Sequence, residues 1–260
     1  MRGPVIKTGI ARSRSTIPRS YDSRRDERAA AFLDRLFRRR GSIHDVLDVA
    51  CGTFSIDLGL VERGYRVVGR DRSDDMIRIA RRNLRHRRAA ADVATADMRV
   101  LGLPQRFDAI LCVGTAFNYL VESRDVVRAL HSFHSHLYPG GLLVLDLANF
   151  DAWIDDNPEN ARTEVDHRAA DGTRIAVFAF NEQQNRKRIH IARFLTLVQR
   201  GRGIDIRFDE APLKVWRKEG VLRQLRRSGF RPSEWWGDLR TGAKYVRRKS
   251  PRLVSVSVRE

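Results

Sequence analysis

Two aspartates and a loop of small residues are the positions in this sequence whose types and spacing could hold a charged ligand. Asp48 lies near the end of an apolar run, and Ala50, Cys51 and Gly52 follow it closely. Small side chains at a strand-to-helix turn allow a ligand to approach the backbone. Asp71 closes the next apolar run. A carboxylate at that position can accept hydrogen bonds from both hydroxyls of a ribose.

A nicotinamide dinucleotide site is the competing interpretation of this loop. Its G-x-G-x-x-G pattern would fall on Ala50, Gly52 and Ser55, so two of the three glycines are missing. Asp48 would also repel a pyrophosphate, whereas it suits a ligand with a cationic amine, such as the methionine end of S-adenosylmethionine (SAM). The residues therefore favour SAM over a dinucleotide.

Alternating strand and helix patterns surround the loop and must position it. Apolar runs that fit buried strands begin at Asp45, Arg66, Val93, Phe107 and Leu142, and helical patterns separate most of them. This alternation is typical of a parallel sheet covered by helices. The sequence predicts an α/β fold, namely a Rossmann-like, doubly wound, seven-stranded and mostly parallel sheet.

The pattern changes after Phe150. Asp171-Gly172 separates two β-type runs, which is a strong hairpin signal, and residues 204–208 alternate between apolar and charged. These features predict an inserted antiparallel β-sheet subdomain. We therefore divide the chain into a basic N-terminal tail or lid (1–25), a Rossmann-like domain (26–150 and 214–260) and the inserted sheet (151–213).

Five short motifs occur in the order and spacing of class I SAM-dependent methyltransferases. They are Asp48-Val49-Ala50-Cys51-Gly52-Thr53, Gly69-Arg70-Asp71-Arg72-Ser73, Ala96-Asp97-Met98, Phe107-Asp108-Ala109-Ile110-Leu111-Cys112 and Pro139-Gly140-Gly141. Each is common alone, but together they are specific. The sequence resembles that family over roughly residues 21–150. The resemblance implies an enzyme that uses SAM, leaves S-adenosylhomocysteine (SAH) and needs no metal.

The resemblance also assigns roles to residues of the cofactor site. It implies that the loop from Ala50 to Thr53 holds the methionine part of SAM, that Asp71 binds the ribose, and that Asp97 and Met98 hold the adenine. The full set of cofactor-binding residues implied in this way is Asp48, Ala50, Cys51, Gly52, Thr53, Asp71, Arg72, Met76, Asp97, Met98 and Val113.

Small-molecule N-methyltransferases of the glycine and amino-sugar types are similar in three further features. These are the Tyr21-Asp22 opening, the segment 114–120 and the sheet inserted after the fifth strand. The similarity implies that Tyr21 and Tyr119 border the acceptor amine, and that the sheet covers the substrate or builds a homodimer. The implied substrate-binding residues are Tyr21, Phe117, Asn118, Tyr119 and Asn149. Both tyrosines could instead simply pack with their hydroxyls in water.

Phe54 departs from the family pattern, which usually has glycine at this position of the loop. Its ring could crowd the SAM site or turn away into the helix packing. The first arrangement would favour a binding or scaffold protein that has lost activity. The second is compatible with an enzyme.

The formal net charge of +18 leaves two interpretations of the partner open. A basic patch would suit RNA, so an RNA methyltransferase is the alternative function, beside O-methylation of a small molecule. Basic residues are spread along the whole chain, however, without a zinc-finger, KH or RNP signature. We therefore expect a small-molecule acceptor, which could be acidic, such as an amino sugar, an amino acid or a specialised metabolite.

The remaining sequence features indicate a cytoplasmic protein without a metal or a membrane span. Cys51 and Cys112 both lie in apolar runs, as buried free thiols do in a reducing compartment. No run approaches the length of a membrane span. His131, His134 and His136 are expected to face solvent, because they lack a matching cysteine or an H-E-x-x-H pattern.

Overall fold

The structure, a computed structural model, describes residues 23–41, 43–152, 161–168, 172–184 and 188–260. The described α-helices are α1 (Ser23–Arg38), α2 (Ser55–Val61), α3 (Asp74–Arg87), α4 (Ser123–His136) and α5 (Lys218–Arg227). The strands before the insertion are β1 (Asp45–Asp48), β2 (Arg66–Asp71), β3 (Asp92–Thr95), β4 (Phe107–Cys112) and β5 (Leu137–Ala148). Those that follow are β6 (Ala161–Arg168), β7 (Arg174–Gln184), β8 (Ile189–Arg200), β9 (Gly203–Lys214), β10 (Phe230–Trp236) and β11 (Arg252–Arg259).

Seven of these strands form one sheet in the order β10-β11-β5-β4-β1-β2-β3. β11 runs antiparallel to both of its neighbours, and β1 to β5 pair in parallel. The predicted seven-stranded, mostly parallel sheet is confirmed. Because β1 lies between β2 and β4, the loops after these three strands leave the sheet side by side, which is the usual ligand edge of such a fold.

Helices cover both faces of this sheet. Helices α1, α2 and α3 pack on one face, where Phe32, Leu60 and Ile77 join a core that includes Phe54. Helices α4 and α5 pack on the other, where Leu130 and Leu225 are fully buried. β1, β4 and β5 are buried on both sides, which explains their nearly continuous apolar sequences.

The insertion forms a separate antiparallel sheet in the order β6-β7-β8-β9. Its inner face contacts the end of β5, because Ala192, Leu213 and Val215 pack with Ala148 and Phe150. The predicted inserted sheet is therefore present and lies against the strand end next to the candidate site. The division at residues 150 and 214 stays a prediction.

Two strands extend beyond the sequence runs that indicate them. β5 begins at Leu137 rather than Leu142, because Leu137 already pairs with Phe107 before an irregularity in the register, and the motif Pro139-Gly140-Gly141 therefore lies inside the strand. β9 contains the alternating residues 204–208 and continues to Lys214, and it pairs with β8 along its whole length. Pro212 is tolerated there because β9 is an edge strand.

Candidate functional site

The loop after β1 is fixed by hydrogen bonds to its own aspartate and to β2. The backbone N–H of Ala50 donates to Asp48 Oδ1 at 2.8 Å, and that of Cys51 donates to the Arg70 carbonyl at 3.0 Å. Gly52 has a φ of 52°, a left-handed conformation in which glycine is unstrained. The loop is therefore held open at the carboxyl edge of the sheet, where a ligand can meet backbone groups.

Asp71 joins the loop after β1 to the start of α3. Its Oδ2 accepts the N–H of Gly52 at 2.9 Å, and its Oδ1 accepts the N–H of Ser73 at 2.9 Å. Ser73 in turn caps α3, since its hydroxyl accepts the N–H of Met76 at 3.3 Å. Each carboxylate oxygen can accept two hydrogen bonds. The carboxylate is thus held rigidly at the position expected for the ribose.

A second buried carboxyl, absent from the sequence prediction, lies next to Asp48. Asp57, in the first turn of α2, is 1% exposed, as is Asp48, and the two carboxyls lie within hydrogen-bonding reach of each other. Burial raises the pKa of Asp48 to about 7 and raises the pKa of Asp57 well above its usual value. The sequence signal was an acidic residue on the apolar face of a helix, beside the buried Leu58 and Leu60.

Asp97, expected at the adenine, is held by an arginine that the sequence reasoning missed. Oδ2 of Asp97 accepts a hydrogen bond from the Arg99 guanidinium at 2.5 Å, and the other end of that guanidinium donates to Asp125 in α4 at 2.6 Å. Hydrogen bonds from Arg99 lower the pKa of Asp97. Asp97 is therefore ionised and oriented as a hydrogen-bond acceptor.

The ring of Phe54 turns away from the loop and into the core. It is fully buried, and a Cβ placed on Gly69 would lie 2.8 Å from the ring. Glycine at position 69 of β2 therefore makes room for the aromatic side chain. The backbone of Phe54 has a φ of 63°, which costs a non-glycine residue about 1–2 kcal/mol. Of the two arrangements considered above, the structure has the one that leaves the loop free.

Replacing Phe54 with glycine is expected to destabilise the fold while leaving cofactor affinity within about threefold of wild type. Removing a buried Phe costs about 3–5 kcal/mol, and relieving the left-handed conformation returns about 1–2 kcal/mol. The expected net loss is about 1–4 kcal/mol. Urea denaturation and SAM titration of the same preparation measure the two effects. Tighter SAM binding by the glycine variant would show that the ring obstructs the site.

The segment after β4 is held in a strained turn by three long-range contacts. Thr115 has a φ of 77°, which is unusual for a β-branched residue. The N–H of Gly114 donates to Asp146 Oδ2 at 3.1 Å, and the N–H of Thr115 donates to the Asp146 carbonyl at 3.1 Å. Arg252 in β11 donates to Asp146 Oδ1 at 2.7 Å and to the Thr115 hydroxyl at 2.8 Å. These contacts fix the entry to the 3-10 helix Ala116–Tyr119.

The predicted substrate residues fall into two groups. Phe117 and Asn118 are buried: the Phe117 ring stacks on Trp216 at 5.8 Å, and the Asn118 amide bridges the Ala148 N–H and the Lys214 carbonyl. Tyr119 is partly exposed and packs against the cluster of Ala148 and Phe150 below the inserted sheet. Direct substrate contact by Phe117, Asn118 and Tyr119 stays a prediction.

Asn149 directly follows β5, and both N–H groups of its side-chain amide donate hydrogen bonds. Nδ2 donates to the carbonyls of Arg247 and Ser250, both at 2.7 Å. Oδ1 is buried and has no hydrogen-bond partner among the residues that the structure describes. The hydrogen bonds to the two carbonyls fix the orientation of the side-chain amide. A ligand N–H or O–H could donate a hydrogen bond to its Oδ1 atom.

The other predicted cofactor residues surround this edge. Met76 and Val113 are buried, whereas Arg72 is exposed, and the Thr53 carbonyl accepts a hydrogen bond from Asn83. Met98 packs at the border of the core formed with α4. Tyr21 lies outside the described residues, so its predicted role beside the acceptor stays a prediction.

The three histidines of α4 do not converge on one point. The prediction that all face solvent is wrong for His136, which is buried and whose Nε2 accepts the N–H of Leu103 at 3.1 Å. His134 packs against Phe230 at 5.5 Å. Within the described part of the chain, no group of three or more His, Cys, Asp or Glu side chains could hold a metal ion. None of the helices there has both the length and the hydrophobicity of a membrane span.

Comparison with known proteins places this edge of the sheet in a recognised domain. Residues 46–141 match the family described as "Methyltransferase domain". The chain contains a methyltransferase domain. The matched residues include the loop after β1, Asp71, Asp97 and the segment after β4, so the resemblance to class I SAM-dependent methyltransferases is confirmed.

Relatives of this methyltransferase domain include glycine N-methyltransferases. A glycine/sarcosine N-methyltransferase from Parasynechococcus marenigrum is 36% identical over 133 residues, covering 50% of this chain and 47% of the relative. A glycine N-methyltransferase from Mus musculus is 37% identical over 135 residues, covering 46% and 45%. The chain thus spans about half the length of these curated relatives.

Solved structures resemble the whole chain. An amino pentose methyltransferase from Micromonospora echinaspora, solved with SAM bound, is 25% identical with a TM-score of 0.71, and all of both chains is covered. A SAM-dependent methyltransferase from Clostridium acetobutylicum has a TM-score of 0.79 at 17% identity, with 95% and 94% covered. The second similarity concerns the fold alone.

Proposed function

We propose that this protein transfers the methyl group of SAM to an amine nitrogen of a small molecule. The observation that carries the proposal is the convergence of Asp48, Asp71 and Asp97 with the loop around Gly52 at the carboxyl edge of one sheet. The glycine- and amino-pentose-directed relatives support an amine as the acceptor class. An amino acid, an amino sugar or another specialised metabolite fits this class.

The residues present fit SAM by their chemistry. Asp71 is oriented to bind the two ribose hydroxyls, and the ionised Asp97 can accept the exocyclic amine of adenine. The Asp48 carboxyl lies below the loop expected to hold the methionine end, where an ammonium group would meet it. A pyrophosphate in that place would be repelled, so a dinucleotide fits less well.

The cofactor supplies an activated methyl group, so the protein needs mainly to align it with the acceptor. Such alignment can lower a barrier by about 7–11 kcal/mol. Thr115 and Asn118 fix the 3-10 helix that presents Tyr119, and the inserted sheet closes over Phe150. These residues orient the acceptor and exclude water. The amine arrives neutral or loses its proton to water, and we assign no dedicated base.

The free cysteines bear on the location of the protein, and an exposed apolar face of β9 bears on its assembly. Both cysteines are buried and free, which supports the cytoplasm as the compartment. The outer face of β9 exposes Ile204, Ile206 and Phe208. A homodimer remains a prediction from the resemblance.

A methyl-acceptor screen tests the proposed reaction. Purified, nucleic-acid-free protein is incubated with SAM carrying an isotopically labelled methyl group and separate pools of small amines, small alcohols and RNA. Label in the amine pool, with little effect of salt, is the expected result. Label in RNA that falls steeply with salt would replace this function with RNA methylation, and label in the alcohol pool would replace it with O-methylation.

Replacing Tyr119 with phenylalanine is expected to raise KM for the amine acceptor about threefold to tenfold, because one hydrogen bond contributes about 0.5–1.5 kcal/mol. Affinity for SAM should not change. Steady-state kinetics with the acceptor found in the screen measures this effect. Tyr138, which is 47% exposed, offers the matched control Tyr138→Phe. Equal KM values for the two variants would show that the Tyr119 hydroxyl only packs.

A further inference from the structure

The Asp48–Asp57 pair is an unusual arrangement of two carboxyls. Both side chains are 1% exposed, and the two carboxyls lie within hydrogen-bonding reach of each other. The N–H of Ala50 donates to Asp48 Oδ1, whereas Asp57 Oδ1 has no hydrogen-bond partner among the residues that the structure describes. A buried carboxyl oxygen without a partner is costly unless a ligand or a proton compensates for it.

Two further carboxyl groups act on this pair. Asp71 faces Asp48 from the end of β2, and Asp26 faces Asp57 from α1. The Cys51 thiol in the loop and the Cys112 thiol at the end of β4 also lie close to the pair, and their pKa values are raised mainly by burial. Two ionised carboxylates in such surroundings would repel each other, so the ligand-free pair keeps one proton.

A cation can take the place of that proton. We propose that Asp57 is a second carboxylate of the cofactor site, and that Asp48 and Asp57 together receive the α-ammonium group at the methionine end of SAM, releasing their shared proton to water. This inference rests on the proposed function. For each ammonium group bound, the O–H bond of the protonated carboxyl breaks and its proton passes to water, and no other covalent bond changes.

The position of Asp57 supports this assignment. The helix α2 follows directly from the loop Ala50–Thr53, so both carboxyls belong to the segment expected to hold the methionine part. The carboxyl groups repel each other when both are ionised, which keeps a proton on the pair in the free protein. The same two negative charges would attract the positively charged ammonium group. Binding should therefore be linked to pH.

Calorimetric titration with SAH tests the proposal, since SAH carries the same ammonium group and has no methyl group to transfer. The titration is run near pH 7 in two buffers that differ in ionisation enthalpy, and the difference in heat gives the protons released. Wild-type protein is expected to release a substantial fraction of one proton. Below the pKa of the pair, Kd should fall up to about tenfold for each unit rise in pH and then level off.

The variant Asp57→Asn is expected to bind SAH with little proton release and a flatter dependence of Kd on pH. An amide has nearly the size of a protonated carboxyl, and thermal unfolding checks that the variant folds. Asp75→Asn is the matched control, because Asp75 pairs with Arg78 on the surface of α3. The control should release protons as the wild type does.

Infrared difference spectroscopy on the wild type gives a readout that needs no variant. Loss of a protonated-carboxyl band on adding SAH is expected. No proton release by the wild type, or equal release by wild type and Asp57→Asn, would overturn the role of the pair. Failure of the wild type to bind SAH at all would instead overturn the proposed function.

Discussion

Replacing Asp71 with alanine is expected to weaken the binding of both SAM and SAH by roughly 10²-fold or more. Hydrogen bonds to a charged group contribute about 1.5–3 kcal/mol each, and the proposed ribose site has two of them. The change also releases the N–H groups of Gly52 and Ser73, which now hold the loop and the start of α3 together. The cofactor would lose both its partner and the geometry of its loop.

Isothermal titration of purified protein with each ligand measures this effect. Asp108→Ala is a closely matched control, because Asp108 also accepts two backbone N–H groups, those of His44 and Asp45, but at the start of β4 and so at the opposite edge of the sheet. Both variants should lose comparable stability. Only Asp71→Ala should lose ligand affinity, and equal affinity in the two variants would remove the ribose role from Asp71.

The central sheet was predictable because its signals are local. Continuous apolar runs such as Leu142 to Leu145 mark strands buried on both faces, and the glycines and caps between them mark the turns. Asp48 and Asp71 could be placed together because the carboxyl ends of neighbouring parallel strands meet at one edge. Boundaries were less accurate where pairing with a neighbour extended a strand, as in β5.

The contacts that fix the site were not predictable, because the partners are far apart in sequence. Arg252 meets Thr115 only after β11 has paired with β5, and no local pattern records that pairing. The same holds for Asn118, whose amide connects β5 with the last residue of β9. The sequence identifies such residues as polar residues near strand ends, but it does not show which groups they bind.

Phe54 shows how tertiary packing overrides a local rule. The loop geometry favours glycine, and the left-handed backbone conformation of Phe54 is energetically unfavourable for a residue with a side chain. Burial of the ring offsets this cost, and Gly69 in the next strand leaves the space that the ring occupies. Both residues were visible in the sequence, but their complementarity follows only from the pairing of β1 with β2.

Replacing Arg252 with alanine is expected to destabilise the protein by about 3–5 kcal/mol, the usual cost of removing one partner from a buried ion pair. The Arg252 and Asp146 side chains are only 15% and 10% exposed, so the remaining carboxylate would stay buried without its partner. Urea denaturation measures the loss. Arg231→Ala is the control, because its pair with Glu260 is more than 60% exposed and such pairs contribute about 0–1 kcal/mol.

The activity of the Arg252→Ala variant should fall by more than its loss of folded protein explains. Without Arg252, the strained turn at Thr115 loses the hydrogen bond to its hydroxyl, and the 3-10 helix that carries Tyr119 loses its fixed entry. We expect a lower kcat with nearly unchanged SAM affinity when the variant is assayed at a temperature where it is fully folded. Arg252→Lys keeps the positive charge but cannot bridge Asp146 and Thr115 as a planar guanidinium does, so it should recover stability more than kcat. A variant that is destabilised yet turns over at the wild-type rate would limit Arg252 to a role in folding.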